Sequence, residues 1–267
     1  MLLNISHTTR YAYQNPLGYG LQELRLSPSD GHGQEVLDWK IEIEGGTKEV
    51  EFLDQHNNEV WLISFSCDPR EIAVTCSGAV RTSDTAGLHG IHRGFAPLWY
   101  FQRETPLTQP GPALRRLVKG KAGQDVEAIS LLHELSANIL DNVTYETGMT
   151  TAVHTAEDAL SAGHGVCQDH SHIFVAAARL LGFPARYVSG YLMLDDQEHQ
   201  DASHAWAEAH VDGLGWVGFD VSNGISPDAR YVRLATGLDY SEAAPVSGLR
   251  FGDHGKESLV VDIQVAQ

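Results

Sequence analysis

The chain of 267 residues carries 18 basic and 35 acidic side chains, a formal net charge of −17. No basic run interrupts that balance, which excludes nucleic acid as a partner because phosphate contacts need clustered Lys and Arg, and no run of about 18 apolar residues is present to cross a membrane. A hydrophobic content of 42% with 20% charged residues fits a soluble globular protein, long enough for one large domain or two modest ones.

Met1 to Arg10 lacks the basic segment and apolar run of a secretory signal, so a cytoplasmic location is expected. The cysteines, Cys67, Cys76 and Cys167, are odd in number and too few for a disulfide framework. Cys67 and Cys76 fit no zinc spacing and read as structural thiols of a reducing compartment.

Residues 1–105 read as an antiparallel β region, sandwich-like in its short strands and turns at intervals of about ten residues. Leu3 and Ile5, then Tyr11 and Tyr13, alternate. Leu24 to Leu26 ends at the turn cluster Ser27 to Gly31. Val36 to Ile43 alternates apolar and polar residues, the pattern of a half-buried strand, and stops at Gly45 and Gly46. Glu49 to Phe52, Val60 to Phe65 and Glu71 to Val80 are further strand candidates. His7, His32, His56, His89 and His92 are scattered singly and read as surface or hydrogen-bonded histidines. From residue 105 to 125 the breakers Pro106, Pro110, Pro112, Gly120 and Gly123 mark a crossing into a second domain, 106–267.

That domain opens with a helix expected over Val126 to Leu140, capped by Asp125, with Val126, Ile129, Leu132, Leu135 and Ile139 as its apolar stripe. A polar stretch containing Tyr145 follows. Thr155 to Asp158 resembles a capping box and starts a short helix that ends at Gly163. Gly163-His-Gly-Val-Cys167 then forms a glycine-flanked loop. Val166, Ile173, Phe174, Ala177, Leu180 and Leu181 recur at helical spacing as far as Gly182 and Pro184. Cys167 therefore sits in the first turn of a buried helix, where unpaired N–H groups and the helix dipole favour a thiolate. A buried structural cysteine is the plain alternative.

After Pro184 the period changes. Arg186 to Leu194 and His204 to Val211 read as strands. Asp212 to Gly215 is a turn, and Trp216 to Val221 completes a hairpin with the second strand. His204 and Asp220 fall towards the open end of that hairpin, on neighbouring strands. Together the residues suit a cysteine nucleophile. His204 would take the thiol proton, Asp220 would fix the imidazole tautomer, and the Cys167 N–H would donate to an oxyanion. Tyr145 and Gln168 are the candidates for a second oxyanion donor. Trp206 and Glu208 share strand parity with His204, and Trp206 is a candidate to line the cleft and shield it from water. Asp169 reads as a structural hydrogen-bonding residue. His170 and His172 point apart at i and i+2, so they offer no two-ligand metal face and read instead as cleft residues.

Four blocks resemble the transglutaminase-like superfamily in its bacterial cysteine-peptidase-like branch: Gly163 to Asp169, Leu181 to Tyr191, Ser203 to Glu208 and Gly215 to Asp220. His7 to Tyr13, Leu24 to Pro28 and Asp54 to Val60 are similar to the N-terminal β region of that branch. The resemblance covers nearly the whole chain. It implies an α+β fold with a papain-like core, helices packed on an antiparallel sheet. It also implies thioester chemistry on an amide, with Cys167 as nucleophile, His204 as base and Asp220 as the orienting acid. Water as acceptor gives a peptidase or amidase acting on a peptide or protein. An amine as acceptor gives a cross-linking transferase. A non-catalytic peptide-binding module is the third reading, and the presence of all three triad residue types favours catalysis over it. No calcium-binding acidic loop and no nucleotide or coenzyme-A fingerprint occurs, so neither a metal nor a cofactor is expected; the oligomeric state is left open.

Overall fold

The alternation read in the first strand runs on without a break. In a computed structural model describing residues 1–16, 18–65, 70–121, 127–148, 151, 153–194, 198–251 and 255–267, β1 is one strand, Leu2–Tyr13. Its odd-numbered positions from Leu3 to Tyr13 are all buried. His7 and Thr9 take inward positions in the polar middle, and His7 is satisfied by the Tyr191 hydroxyl at 2.9 Å and the Thr9 hydroxyl at 3.0 Å. Cys67, Asp125, Val126, Asp195 and Asp196 lie outside the described residues.

β2 (Tyr19–Leu24), β3 (Gln34–Glu44), β4 (Thr47–Leu53), β5 (Glu59–Phe65) and β6 (Glu71–Thr82) follow, all antiparallel to their neighbours. They divide between two sheets whose inner faces share one core, including Leu3, Ile5, Leu24, Ile63, Phe65 and Val74. β7 (Leu88–Gly90) leaves this region and joins the edge of a third sheet.

The helices come next. They are α1 (Pro112–Leu117), α2 (Ala128–Asn142), α3 (Ala156–Ala162) and α4 (Cys167–Leu180), with the short strands β8 (Thr144–Tyr145) and β9 (His164–Gly165) paired in parallel between them. α2 begins at Ala128, and its buried face is Leu131, Leu132, Leu135 and Ile139. The Thr155 hydroxyl accepts the Asp158 N–H at 3.1 Å, and Gly163 ends α3 at φ 77°. α4 is buried from Asp169 to Arg179, because α2 and α3 cover one side of it and a sheet the other.

That sheet has the order β14-β10-β12-β13-β7, with β10 (Ala185–Leu192), β12 (His204–Val211), β13 (Gly215–Phe219) and β14 (Tyr231–Gly237). The small alanines Ala207 and Ala209 of β12 let α4 approach closely. β11 (His199–Gln200), α5 (Tyr240–Ala243), β15 (Val246–Phe251) and β16 (Glu257–Ala266) complete the chain. The fold is α+β, as expected. The division into 1–105 and 106–267, however, does not describe how the strands pair at its ends. β15 adds to β2, and β16 pairs with β1 over ten residues, with Ile263 and Val265 buried, so both return to the N-terminal sheets. β7 goes the other way.

Candidate active site

Cys167 is the first residue of α4, so the helix end that carries unpaired N–H groups is built around its side chain. The loop before it is held by Asp169, whose carboxylate accepts the Val166 N–H at 2.8 Å and meets His154 Nδ1 at 3.2 Å. Glycine is required at 165, where a Cβ would lie 2.6 Å from that of Asp169. Asp169 is thus a structural residue. The Cys167 thiol is free and half-buried.

His204 opens β12, and Asp220 follows β13 directly. Ala207 pairs with Phe219, so both residues sit at the open end of the hairpin. His204 Nε2 lies 2.7 Å from Asp220 Oδ2. The Cys167 side chain lies beside the same imidazole, lines the same cleft and acts on its titration. Burial would lower the His204 pKa, but the hydrogen bonds to Asp220 and Cys167 and the charges of both push it up to about 10. An imidazolium here, bracketed by two acidic groups, is the form that stabilises a thiolate.

Asp220 is fully buried and retains its charge through its donors. Burial raises its pKa, and the opposing effects win: the His204 hydrogen bond and charge first, then Tyr231 and Asn223. The Tyr231 hydroxyl donates to Oδ2 at 2.6 Å and the Asn223 amide at 2.7 Å, while the Asn223 N–H reaches Oδ1 at 3.2 Å. Burial, then the charge of Asp220, holds the Tyr231 hydroxyl well above its ordinary pKa, so it remains a donor. Sequence reasoning missed both residues. Asn223 had a signal, a turn residue three positions after Asp220. Tyr231 had none. Tyr231→Phe is expected to raise the Asp220 pKa and to cost about 1.5 kcal/mol of stability, the worth of a buried hydrogen bond to a charged group. Carboxyl NMR titration and urea unfolding would measure both, and an unmoved Asp220 titration would remove Tyr231 as its donor.

A cleft of about 870 Å³ opens over these groups. Cys167, His204, Tyr145 and Gln168 all line it, with Tyr187, Leu192, Leu194 and Tyr240 as apolar walls. Burial and the nearby Cys167 and Asp220 raise the Tyr145 pKa to about 12, which keeps its hydroxyl protonated. Trp206 does not line the cleft. It packs behind the imidazole, 1% exposed, stacked on His204 at 6.2 Å and edge-on to Tyr231 at 5.4 Å. His170 and His172 are not cleft residues either, because α4 is buried along its whole middle. His170 bridges the Ser222 hydroxyl at 2.8 Å and the Val143 carbonyl at 3.0 Å. His172 Nε2 accepts the Tyr240 N–H at 3.1 Å, and burial pulls its pKa down to about 4. Both hold cleft-lining residues from beneath. Among the described residues, no three His, Cys, Asp or Glu side chains converge as a metal site needs.

Comparison with known proteins agrees with this architecture. Residues 115–221 match the transglutaminase-like superfamily, and residues 3–81 match the bacterial transglutaminase-like N-terminal region. An uncharacterized protein of Mycobacterium leprae is 27% identical over 286 aligned positions, spanning 99% of this chain and 98% of that protein. An uncharacterized protein of Mycobacterium tuberculosis is 33% identical over 147 positions, 51% of this chain and 46% of the other. The fold is shared with a crystal structure from Cytophaga hutchinsonii described as that of a candidate cysteine protease. Its TM-score is 0.79 at 22% identity, over 100% of this chain and 90% of that one.

Proposed function

The chain belongs to the transglutaminase-like superfamily and carries the bacterial transglutaminase-like N-terminal region, and from that premise we propose that it is a thiol hydrolase cleaving amide bonds of peptides or proteins. The observation that carries the reading is the hydrogen-bonded pair His204 and Asp220 set beside Cys167, which stands at a helix N-terminus and faces an open cleft.

In the proposed reaction, His204 holds the thiol proton and Cys167 Sγ attacks the amide carbonyl carbon. The carbonyl π electrons move to oxygen. The Cys167 N–H and a second donor, Tyr145 or Gln168, stabilise that oxyanion. His204 then gives its proton to the leaving nitrogen as the C–N bond breaks, and a thioester remains. His204 next takes a proton from water, and the hydroxide adds to the thioester carbonyl. Collapse releases the acid and the thiolate, and the thiolate–imidazolium pair is restored. Asp220 stays ionised throughout and fixes the imidazole.

Water is favoured as acceptor over an amine because the cleft is broad and Tyr145, at its wall, is 49% exposed. The walls also favour one class of substrate. Apart from Cys167 and His204, Asp201 is the charged side chain of the described lining, so uncharged or basic peptides suit the cleft better than acidic ones. A smaller cavity of about 190 Å³ shares Asp201, Ala202, Ser203 and Tyr240 with it and runs on to Tyr11, Leu259 and Val261 of the N-terminal sheets. A peptide lying across the cleft would meet that apolar extension next.

The test is alkylation of Cys167 by iodoacetamide as a function of pH. An unpaired thiol reacts mainly above about pH 8. The reading predicts rapid alkylation at about pH 6 in the wild type, lost in His204→Ala. A profile identical in the two proteins would overturn it.

A further inference from the structure

Behind the sheet, away from α4, lies a second cavity of about 460 Å³ that shares no lining residue with the cleft among the described residues. β10 and β14 contribute Arg186 and Arg233 to it. The N-terminal half supplies the opposite wall, with His32 and His56, and Arg93 stands at the rim.

The described lining of this cavity holds three arginines against one aspartate. Arg186 Nε donates to Glu208 Oε2 at 2.6 Å, and Arg233 reaches the same carboxylate at 3.3 and 3.4 Å. Two guanidinium groups therefore share one buried carboxylate. Arg93 adds a third positive charge, and Asp30 is the acidic residue of the described lining. A cationic excess is thus concentrated in one hollow of a chain whose net charge is −17. Burial pulls the Arg186 pKa down to about 10, and its ion pair with Glu208 opposes that shift. The Arg186 guanidinium is itself held in place, lying 4.0 Å over the buried Trp216 ring, with Phe101 packed edge-on to that ring. The volume falls in the range of small-molecule sites and exceeds that of a bare inorganic ion. His56 Nε2 meets Glu242 Oε2 at 2.6 Å, and its Nδ1, buried in the same wall, has no hydrogen-bond partner among the described residues.

We propose that this rear cavity is a second binding site, separate from the cleft, for a small organic oxyanion bearing a carboxylate or a phosphate. Arg233 and Arg93 would bind the anionic group, with the remainder filling the rest of the cavity. Guanidinium forks favour both anions for the same geometric reason.

The full-length protein can be titrated with inorganic phosphate and, separately, with succinate, with sodium chloride at matched ionic strength as the control, and followed by thermal unfolding. A saturable rise in midpoint with phosphate alone would assign a phosphate ligand, and with succinate alone a carboxylate; either supports the site. Arg233→Gln retains the Arg186–Glu208 pair, and Arg93→Gln changes an exposed residue, so both variants are expected to fold. Each should raise the half-saturating concentration about tenfold or more, the effect of one lost charge-assisted hydrogen bond, while the iodoacetamide rate at Cys167 stays unchanged. Equal stabilisation by chloride, no response to either anion, or saturation in both variants as in the wild type would overturn the proposal.

Discussion

Replacing Cys167 with alanine is expected to lower amide turnover by at least about 10³-fold, with no loss of the folded state. The size of the effect follows from the role proposed for the sulfur. Without it no thioester forms, and what survives is binding and oxyanion stabilisation acting on water alone. The fold should be indifferent, because the thiol is half-buried at a helix start and alanine removes a single heavy atom. His204→Ala should fall nearly as far, since residues that act as a unit are not additive. Asp220→Asn should cost less, because asparagine keeps the shape but not the charge that supports the imidazolium. Measuring kcat/KM on a basic peptide amide, with thermal unfolding alongside, separates these outcomes. Full activity in Cys167→Ala would remove the proposal. The His204 pKa adds a pH arm. It is raised, to about 10, above its unfolded value of about 6.5. The stability it contributes is therefore complete below about pH 6.5 and is lost as pH rises towards 10. The stability gap between wild type and His204→Ala should close over that window.

Glu208→Ala is expected to destabilise the protein by about 3–5 kcal/mol, the cost of removing one member of a buried ionic cluster. Glu208 is fully buried, and burial alone would raise its pKa. Arg186, then Arg233 and His89, overcome that and hold it far below the carboxylate range. Removing the carboxylate leaves Arg186 buried over Trp216 with no counter-charge, and leaves a void beneath it. Glu208→Gln separates the two effects, since it keeps most of the volume and removes only the charge. Because the folded pKa is depressed, the contribution of Glu208 is fully present above its unfolded value of about 4.5 and is lost as pH falls towards the lower folded value. The difference between wild type and Glu208→Gln should hold through mildly acidic pH and shrink only in strong acid. Urea unfolding at about pH 7 and pH 3 measures it, and a loss under 1 kcal/mol in Glu208→Ala would contradict the account.

The helix that begins at Cys167 was legible because its apolar positions follow one period between two clear stops, Gly165 and Gly182. The meeting of His204 and Asp220 was legible because a short turn fixes hairpin register by counting. Trp206 shows where counting ends. Parity gave its face of the strand but not its depth, and the stacking against His204 and Tyr231 that buries it depends on β14, a strand the sequence reading did not reach. Tyr231 was illegible for the same reason. β16 escaped because most of it is exposed, with Ile263 and Val265 as its fully buried residues, so its pattern is faint and its partner lies at the opposite end of the chain. Glu208, placed by parity alone, gave no hint of its arginines, which come from two other strands.

The pairing of β16 with β1 has a consequence for how the protein is made. Within these residues β16 is translated long after β1. Until β16 emerges, one edge of the first sheet stands open, with a long row of unpaired backbone groups along β1. Chains that stop short of β16 should be prone to join one another through that edge. The same pairing sets Asn4 beside Ala266, so a short linker joining the end of β16 to the start of β1 would let the two strands be translated as neighbours.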